Sequence, residues 1–518
     1  MLTVQSLKGQ GRLTGTSKCD CVRPRCGRCI RRRLACSGYP QDESFIFLDE
    51  NDVAQRNSER ARSRRNESQM IPISFDLAAS QGSSAPTFTE RTSTLRKQLY
   101  HWLNERELTE IPPVLQLDME TQAVSRFFVN WTLYPCNLGL SPGYMDQVPK
   151  LYSNAAPHSI LWLAVQAVAF ADMKYYGPGY DQLSATALQY YGLALALLRT
   201  LAADEERILD DQVLAALLLI DDFESLFLGR TEPLGPHSQG LKHILHARGD
   251  AQLFRRSSFS LWLLALHRLV ARQILLYEEP DDQQMAWIDK LDLDWVPLRI
   301  FSDIYKMNVL SSEANKLRQG ENSRPIPRES IEQARQLADS TLLLLRSVET
   351  WPMMTIDHWK AETVDPNTIS ETDSLPNLPM PQFTCPRVLS YHDIWSAYMW
   401  SFHAASQIIL RESLIDTFEL IGLSQLEAGD PEDTDQIQHQ TEVIHRLSAV
   451  LIRSFPQLLG FVHKDTSEGH FRLQGGTAGR ALVLFPMRVL QMSSFSPPEH
   501  KQTALAVIEW VNSTYRLG

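Results

Sequence analysis

The chain has 518 residues, 43% of them hydrophobic and 21% charged, which allows one large or two moderate cores and excludes a chain disordered throughout. Its formal net charge of −11 conceals two opposite ends: residues 1–66 hold 14 Lys+Arg against 7 Asp+Glu, and the remainder holds 36 against 54. A positive field able to attract phosphates is therefore confined to the N-terminal end.

The first fifteen residues, MLTVQSLKGQGRLTG, lack the continuous apolar core of a secretory signal, so reduced thiols are expected rather than a disulfide framework. Five of the seven cysteines then crowd into residues 19–36. Four fall as Cys19-x6-Cys26-x2-Cys29-x6-Cys36, with Cys21 between the first two, while Cys136 and Cys385 stand alone. Thiolates at such spacings can converge on a tetrahedral Zn2+, which supplies the folding energy that so short a segment cannot draw from a core. The bland alternative is a set of free surface thiols. For the chain as written, the expectation is one zinc held by Cys26, Cys29 and Cys36, with Cys19 or Cys21 completing the tetrahedron. Around them lie Lys18, Arg23, Arg25, Arg28, Arg31, Arg32 and Arg33 against the single acid Asp20, a phosphate-binding surface on a small fold. Arg31-Arg32-Arg33 also reads as a solvated face or a nuclear-import signal, and Arg60 to Arg65 as an import signal or linker contact.

From Gln41 to about Thr94 the sequence is polar and irregular, and it is read as a disordered linker. Beyond Leu95 the helical period dominates. Leu183, Ala187, Tyr191, Ala194, Leu198 and Leu201 recur at steps of three and four, as do Phe259, Trp262, Leu266, Val270, Ile274 and Tyr277. Between them, Asp210-Asp211 can cap a helix carrying Val213, Leu217, Ile220 and Phe227 on one face, and Gly229 can end it. Ile394, Tyr398, Phe402, Ala405 and Ile409 form a further stripe, as do Val443, Leu447, Val450 and Leu451. The segments Glu362–Pro386 and Glu427–Asp435 read as exposed loops, and no run of alternating strands is evident. Ile160–Phe170 and Val213–Ile220, the most apolar stretches, are too short to cross a bilayer, so no membrane partner is expected.

Catalytic motifs are weak. Asp221-Asp222-Phe223-Glu224 is similar to the acidic metal motif of helical terpene cyclases, but its carboxylates are too crowded and a downstream partner motif is missing, so a helix surface is expected. His237, His243 and His246 are read as ordinary histidines rather than metal ligands, with Gly249 ending their helix before Asp250. Gly475-Gly476-Thr477-Ala478-Gly479 lacks the strand and Lys-Ser/Thr of a phosphate loop and reads as a helix entry. No G-x-S-x-G elbow is present, and a non-enzyme is expected.

The run KCDCVRPRCGRCIRRRLACSGYP resembles the second half of the fungal binuclear zinc-cluster module, in which six cysteines bind two zinc ions. Residues 98–518 resemble the all-helical fungal-specific transcription factor regulatory domain, chiefly over LDDQVLAALLLIDDFESLFLGRTEPLGPHSQGLKHILHARGDAQLF (209–254) and GGTAGRALVLFPMRVL (475–490). The resemblance implies a mostly α protein with a zinc head at 1–45, a linker at 46–97 and a helical regulatory body. It further implies a nuclear regulator of RNA polymerase II transcription that docks a helix and basic residues on GC-rich triplets, often CGG, in double-stranded DNA, and that answers to transcription machinery or other regulators. Two of the family's cysteines would fall at Gly9 and Arg12, and of its basic first helix only Lys18 matches. Either the first exon is wrongly assigned and the natural cluster is intact, or the protein lacks the first half and binds DNA weakly or not at all, the alternative function then being a DNA-independent regulatory scaffold with a vestigial cluster. The retained spacing and basic residues favour the former.

Overall fold

The computed structural model describes residues 118–517 except 134–142, 174–181, 205, 292–294, 321–327, 351, 353–358, 365–386, 425–430 and 462–475, together with two short segments nearer the N-terminus. The chain divides into two units, Met1–Ile111 and Pro112–Gly518. In the first, the described residues form one antiparallel pair, β1 (Leu2–Thr3) with β2 (Leu48–Asp49), in which Leu2 lies opposite Asp49.

The second unit is a large helical assembly. Helices α1 (Met119–Trp131), α2 (Val148–Ser153), α3 (Ile160–Met173) and α4 (Leu183–Leu201) lead to α5 (Asp211–Asp222). The chain then widens into a π turn at Phe223–Phe227 and loops back before α6 (Ser238–Arg248) and α7 (Arg256–Leu276). Next come α8 (Asp282–Asp289), α9 (Val296–Gly320) and α10 (Arg328–Thr350). An antiparallel pair, β3 (Glu362–Val364) and β4 (Val388–Ser390), precedes α11 (Ile394–Ser424), α12 (Pro431–Leu458), α13 (Gly476–Met492) and α14 (Pro498–Tyr515).

Two kinds of helix build the core. Helix α3 and the stretch Val213–Asp222 of α5 are buried on all sides, as their nearly unbroken apolar sequences require. Others bury one stripe: α4 turns Leu183, Ala187, Ala194 and Leu201 inward, and α10 turns in Ala334, Leu337, Ala338, Leu345 and Val348. The long helix α11 packs against α9, α10, α12 and α13. Helix starts follow local chemistry. Asp118 accepts from the Thr121 amide at 2.8 Å, Asp210 from the Gln212 amide at 2.7 Å, and Asp281 forms a reciprocal capping box with Gln284. At the other end of α6, Gly249 takes φ +57°, a conformation that suits glycine, and ends the helix where the sequence places its stop.

Several expectations are corrected. From Val213 onward helix α5 has no solvent face, and its α-helical geometry stops at Asp222, so Phe227 belongs to the π turn. Glu362–Val364, expected in a loop, pairs as a strand with Val388–Ser390. In the acidic stretch expected as a loop, Pro431 to Asp435 open α12, since proline is tolerated in the first turn of a helix. Gly476 does begin a helix, α13. The α7 segment Ser258–Leu276 has the length and mean hydropathy, 1.3, of a bilayer span, and 67% of it is buried within the protein.

Candidate functional site

Every residue singled out for zinc, namely Cys19, Cys21, Cys26, Cys29 and Cys36, lies outside the described residues, as do Lys18, Arg23, Arg25, Arg28, Arg31, Arg32 and Arg33. The described chemistry belongs to the helical unit. It centres on the acidic motif at the end of α5.

Asp221, Asp222 and Glu224, expected on a helix surface, are 2%, 0% and 7% exposed. They are buried because α5 runs through the core and carries its acidic end with it. Burial of three carboxylates demands partners, and arginines supply them. Arg268 of α7 pairs with Asp222, while Arg230, from the loop after the π turn, pairs with Asp221. The Tyr144 hydroxyl accepts from Arg268 at 2.7 Å and donates to Asp222 at 3.1 Å. The Leu234 amide donates to Asp221 at 3.1 Å, from a residue held at φ +56°. Burial, opposed by Arg268 and reinforced by Asp221, pushes the Asp222 carboxyl up to about 6. Both aspartates thus face protein donors.

Glu224 differs. It accepts from Tyr191 of α4 at 2.7 Å, meets His237 Nε2 at 2.8 Å, and pairs with Arg230 at 3.0 Å. Burial pushes its carboxyl up, but the bonds from His237 and Tyr191 and the charges of His237 and Arg230 outweigh that and hold it below the usual range. Glu224 also lines a cavity of about 460 Å³ between α4, α5, the π turn and α6. Its apolar wall includes Leu195, Leu198, Ile208, Leu217 and Ile244, and Arg199 and His243 stand exposed on the lining. The volume suits a small organic ligand.

The three histidines do not meet at a metal. His237 is engaged with Glu224, His246 lies 3.1 Å from Asp281, and Asp250 accepts from Trp287 and Lys290. Among the described residues no cluster of three or more metal-binding side chains occurs. A second open groove, about 540 Å³, runs beside Trp359, Tyr391, Trp400, His439 and Arg446.

Sequence reasoning found the acids and His237 but missed Arg230, Arg268 and Tyr144, which meet them only through the fold. The one available signal was the paired charge itself. A buried apolar helix ending in Asp-Asp needs cations nearby, and Arg268 and Arg272 are the arginines within the apolar span of α7. Comparison with protein-family models, curated proteins and solved structures finds no match to this chain.

Proposed function

We propose that the chain is a zinc-dependent, sequence-specific DNA-binding regulator of RNA polymerase II transcription, acting in the nucleus and without catalysis of its own. The observation that carries this reading is the spacing Cys19-x6-Cys26-x2-Cys29-x6-Cys36 set among seven basic residues, which resembles the second half of the fungal binuclear zinc cluster. Zn2+ is the implied cofactor, and Cys26, Cys29 and Cys36 with Cys19 or Cys21 are its proposed ligands. Lys18, Arg23, Arg25, Arg28, Arg31, Arg32 and Arg33 would contact double-stranded DNA, with GC-rich triplets as the proposed sites. The helical unit would regulate activity through transcription machinery or other regulators. Its arginine-neutralised acids and accessible cavity suit a sensor or docking body.

Gly9 and Arg12 stand where the resemblance expects cysteines, and this favours a second reading, a DNA-independent regulatory scaffold. Two measurements on the full chain purified under reducing conditions separate the readings: zinc content by plasma mass spectrometry, and anisotropy of a labelled CGG-containing duplex across a salt series. Bound zinc with salt-sensitive duplex affinity supports the DNA-binding regulator. Absence of both overturns it and leaves the scaffold.

A further inference from the structure

The cavity beside Glu224 has a charge distribution that selects among ligands. It runs along one face of α4 and its C-cap, where Tyr191, Leu195, Leu198, Arg199 and Ala202 follow one another at helical spacing. From Tyr191 to Ala202 this wall is roughly 16 Å long at 1.5 Å per residue. Ile208, Leu217 and Ile244 close the other sides with apolar surface.

Among the described residues the lining contains one carboxylate, Glu224, and it is already satisfied. One oxygen takes Tyr191 and His237, and the other takes Arg230. An incoming cation would find no free acceptor charge there. Arg199 is the reverse case. It is exposed on the cavity lining and, among the described residues, makes no hydrogen bond or ion pair. His243, also exposed and on the same lining, adds a second donor group. Among the described residues the uncompensated charge on the lining is therefore positive, and much of the remaining wall is apolar.

We propose that this cavity binds an amphipathic carboxylate, with an acyl or aromatic body along Leu195, Leu198, Ile208, Leu217 and Ile244 and its carboxylate paired to Arg199. Apolar burial supplies most of the affinity, and the guanidinium selects an acid over the matching alcohol or amine. The site belongs to the helical unit alone, so it stands or falls independently of zinc and DNA binding by the N-terminal segment.

Gly240 supplies a clean block. It lies on the cavity lining in α6, and a Cβ there would meet nothing within 4 Å. Gly240→Phe would put an aromatic ring on the lining without a clash at its Cβ and would remove a helix-weakening glycine. Titration calorimetry of the full chain with decanoate, decan-1-ol and decylamine tests the proposal, with circular dichroism confirming the fold of each variant. Decanoate is expected to bind about tenfold more tightly than the alcohol, and the amine not measurably. Arg199→Gln should weaken decanoate about tenfold and leave the alcohol unchanged, whereas Gly240→Phe should abolish both. Any of four results overturns the proposal: no decanoate binding by the unaltered chain, equal affinity for acid and amine, decanoate affinity unchanged by Arg199→Gln, or decanoate affinity that survives Gly240→Phe.

Discussion

Tyr144 and Asp222, 78 residues apart in sequence, share a hydrogen bond of 3.1 Å in the core, and the same hydroxyl accepts from Arg268 at 2.7 Å. This three-residue relay joins α5 to α7 and to the segment before α2. Its charges are buried, so its removal is felt asymmetrically. Arg268→Met leaves Asp222 buried and uncompensated and should destabilise the helical unit by about 3–5 kcal/mol. The double substitution Arg268→Met with Asp222→Leu should recover much of that loss. Urea denaturation of the single and double variants measures both effects.

The raised Asp222 carboxyl predicts a pH dependence of known sign. Its folded value, about 6, lies above the ordinary 3.8, so the folded state holds this proton more tightly than the unfolded state. Stability from this group is present below the ordinary value and is lost as pH rises through about 6. Relative to Asp222→Asn, the unaltered protein should therefore gain stability as pH falls across that window. Thermal melts at several pH values check the difference in slope, which cancels the opposite contributions of Glu224 and Asp281, both held below their usual values.

Close backbone approach makes Gly479 irreplaceable. A Cβ there would overlap the Leu458 carbonyl oxygen of α12 and crowd Ile394 of α11. Gly479→Ala should cost about 1–3 kcal/mol or more through overpacking, despite alanine's better helix propensity. A lowered Tm is the expected readout, whereas Gly422→Ala on α11, with open space around its Cβ, should not lower it.

The cap on α5 supports a smaller prediction. Asp210→Ala removes the acceptor for the Gln212 amide and should cost about 1 kcal/mol in chemical denaturation. Asp210→Asn should retain most of that contribution.

For the proposed head, phosphate contacts have their own signature. Replacing Arg31, Arg32 and Arg33 with Gln should reduce the slope of log affinity against log salt by about 0.9 for each lost phosphate contact, with zinc content unchanged. Cys29→Ser should instead lower zinc content and duplex affinity together.

Much of the helical unit was legible in the sequence. The stripe of Leu183, Ala187, Ala194 and Leu201 is the buried face of α4, Asp210 is the cap of α5, Gly249 ends α6 and Gly476 opens α13. These features depend on the period of a few residues or on one local hydrogen bond, and a chain specifies such things through its neighbours. The same local reasoning misplaced Asp221, Asp222 and Glu224. A run of two aspartates looks solvated until the partners that neutralise it are known, and those partners, Arg230, Arg268, Tyr144 and Tyr191, come from elements up to 78 residues away.

The sequence by itself thus determined the helical character of the body, the cap at Asp210 and the break at Gly249, and the gathering of five of the seven cysteines with a net positive charge near the N-terminus. The tertiary structure alone decided which carboxylates are buried, which arginines neutralise them, and that Arg199 is exposed beside an apolar cavity. The physical reason is one of range. Backbone periodicity and capping are settled within a turn or two of helix, whereas the fate of a charge depends on what the rest of the chain packs against it.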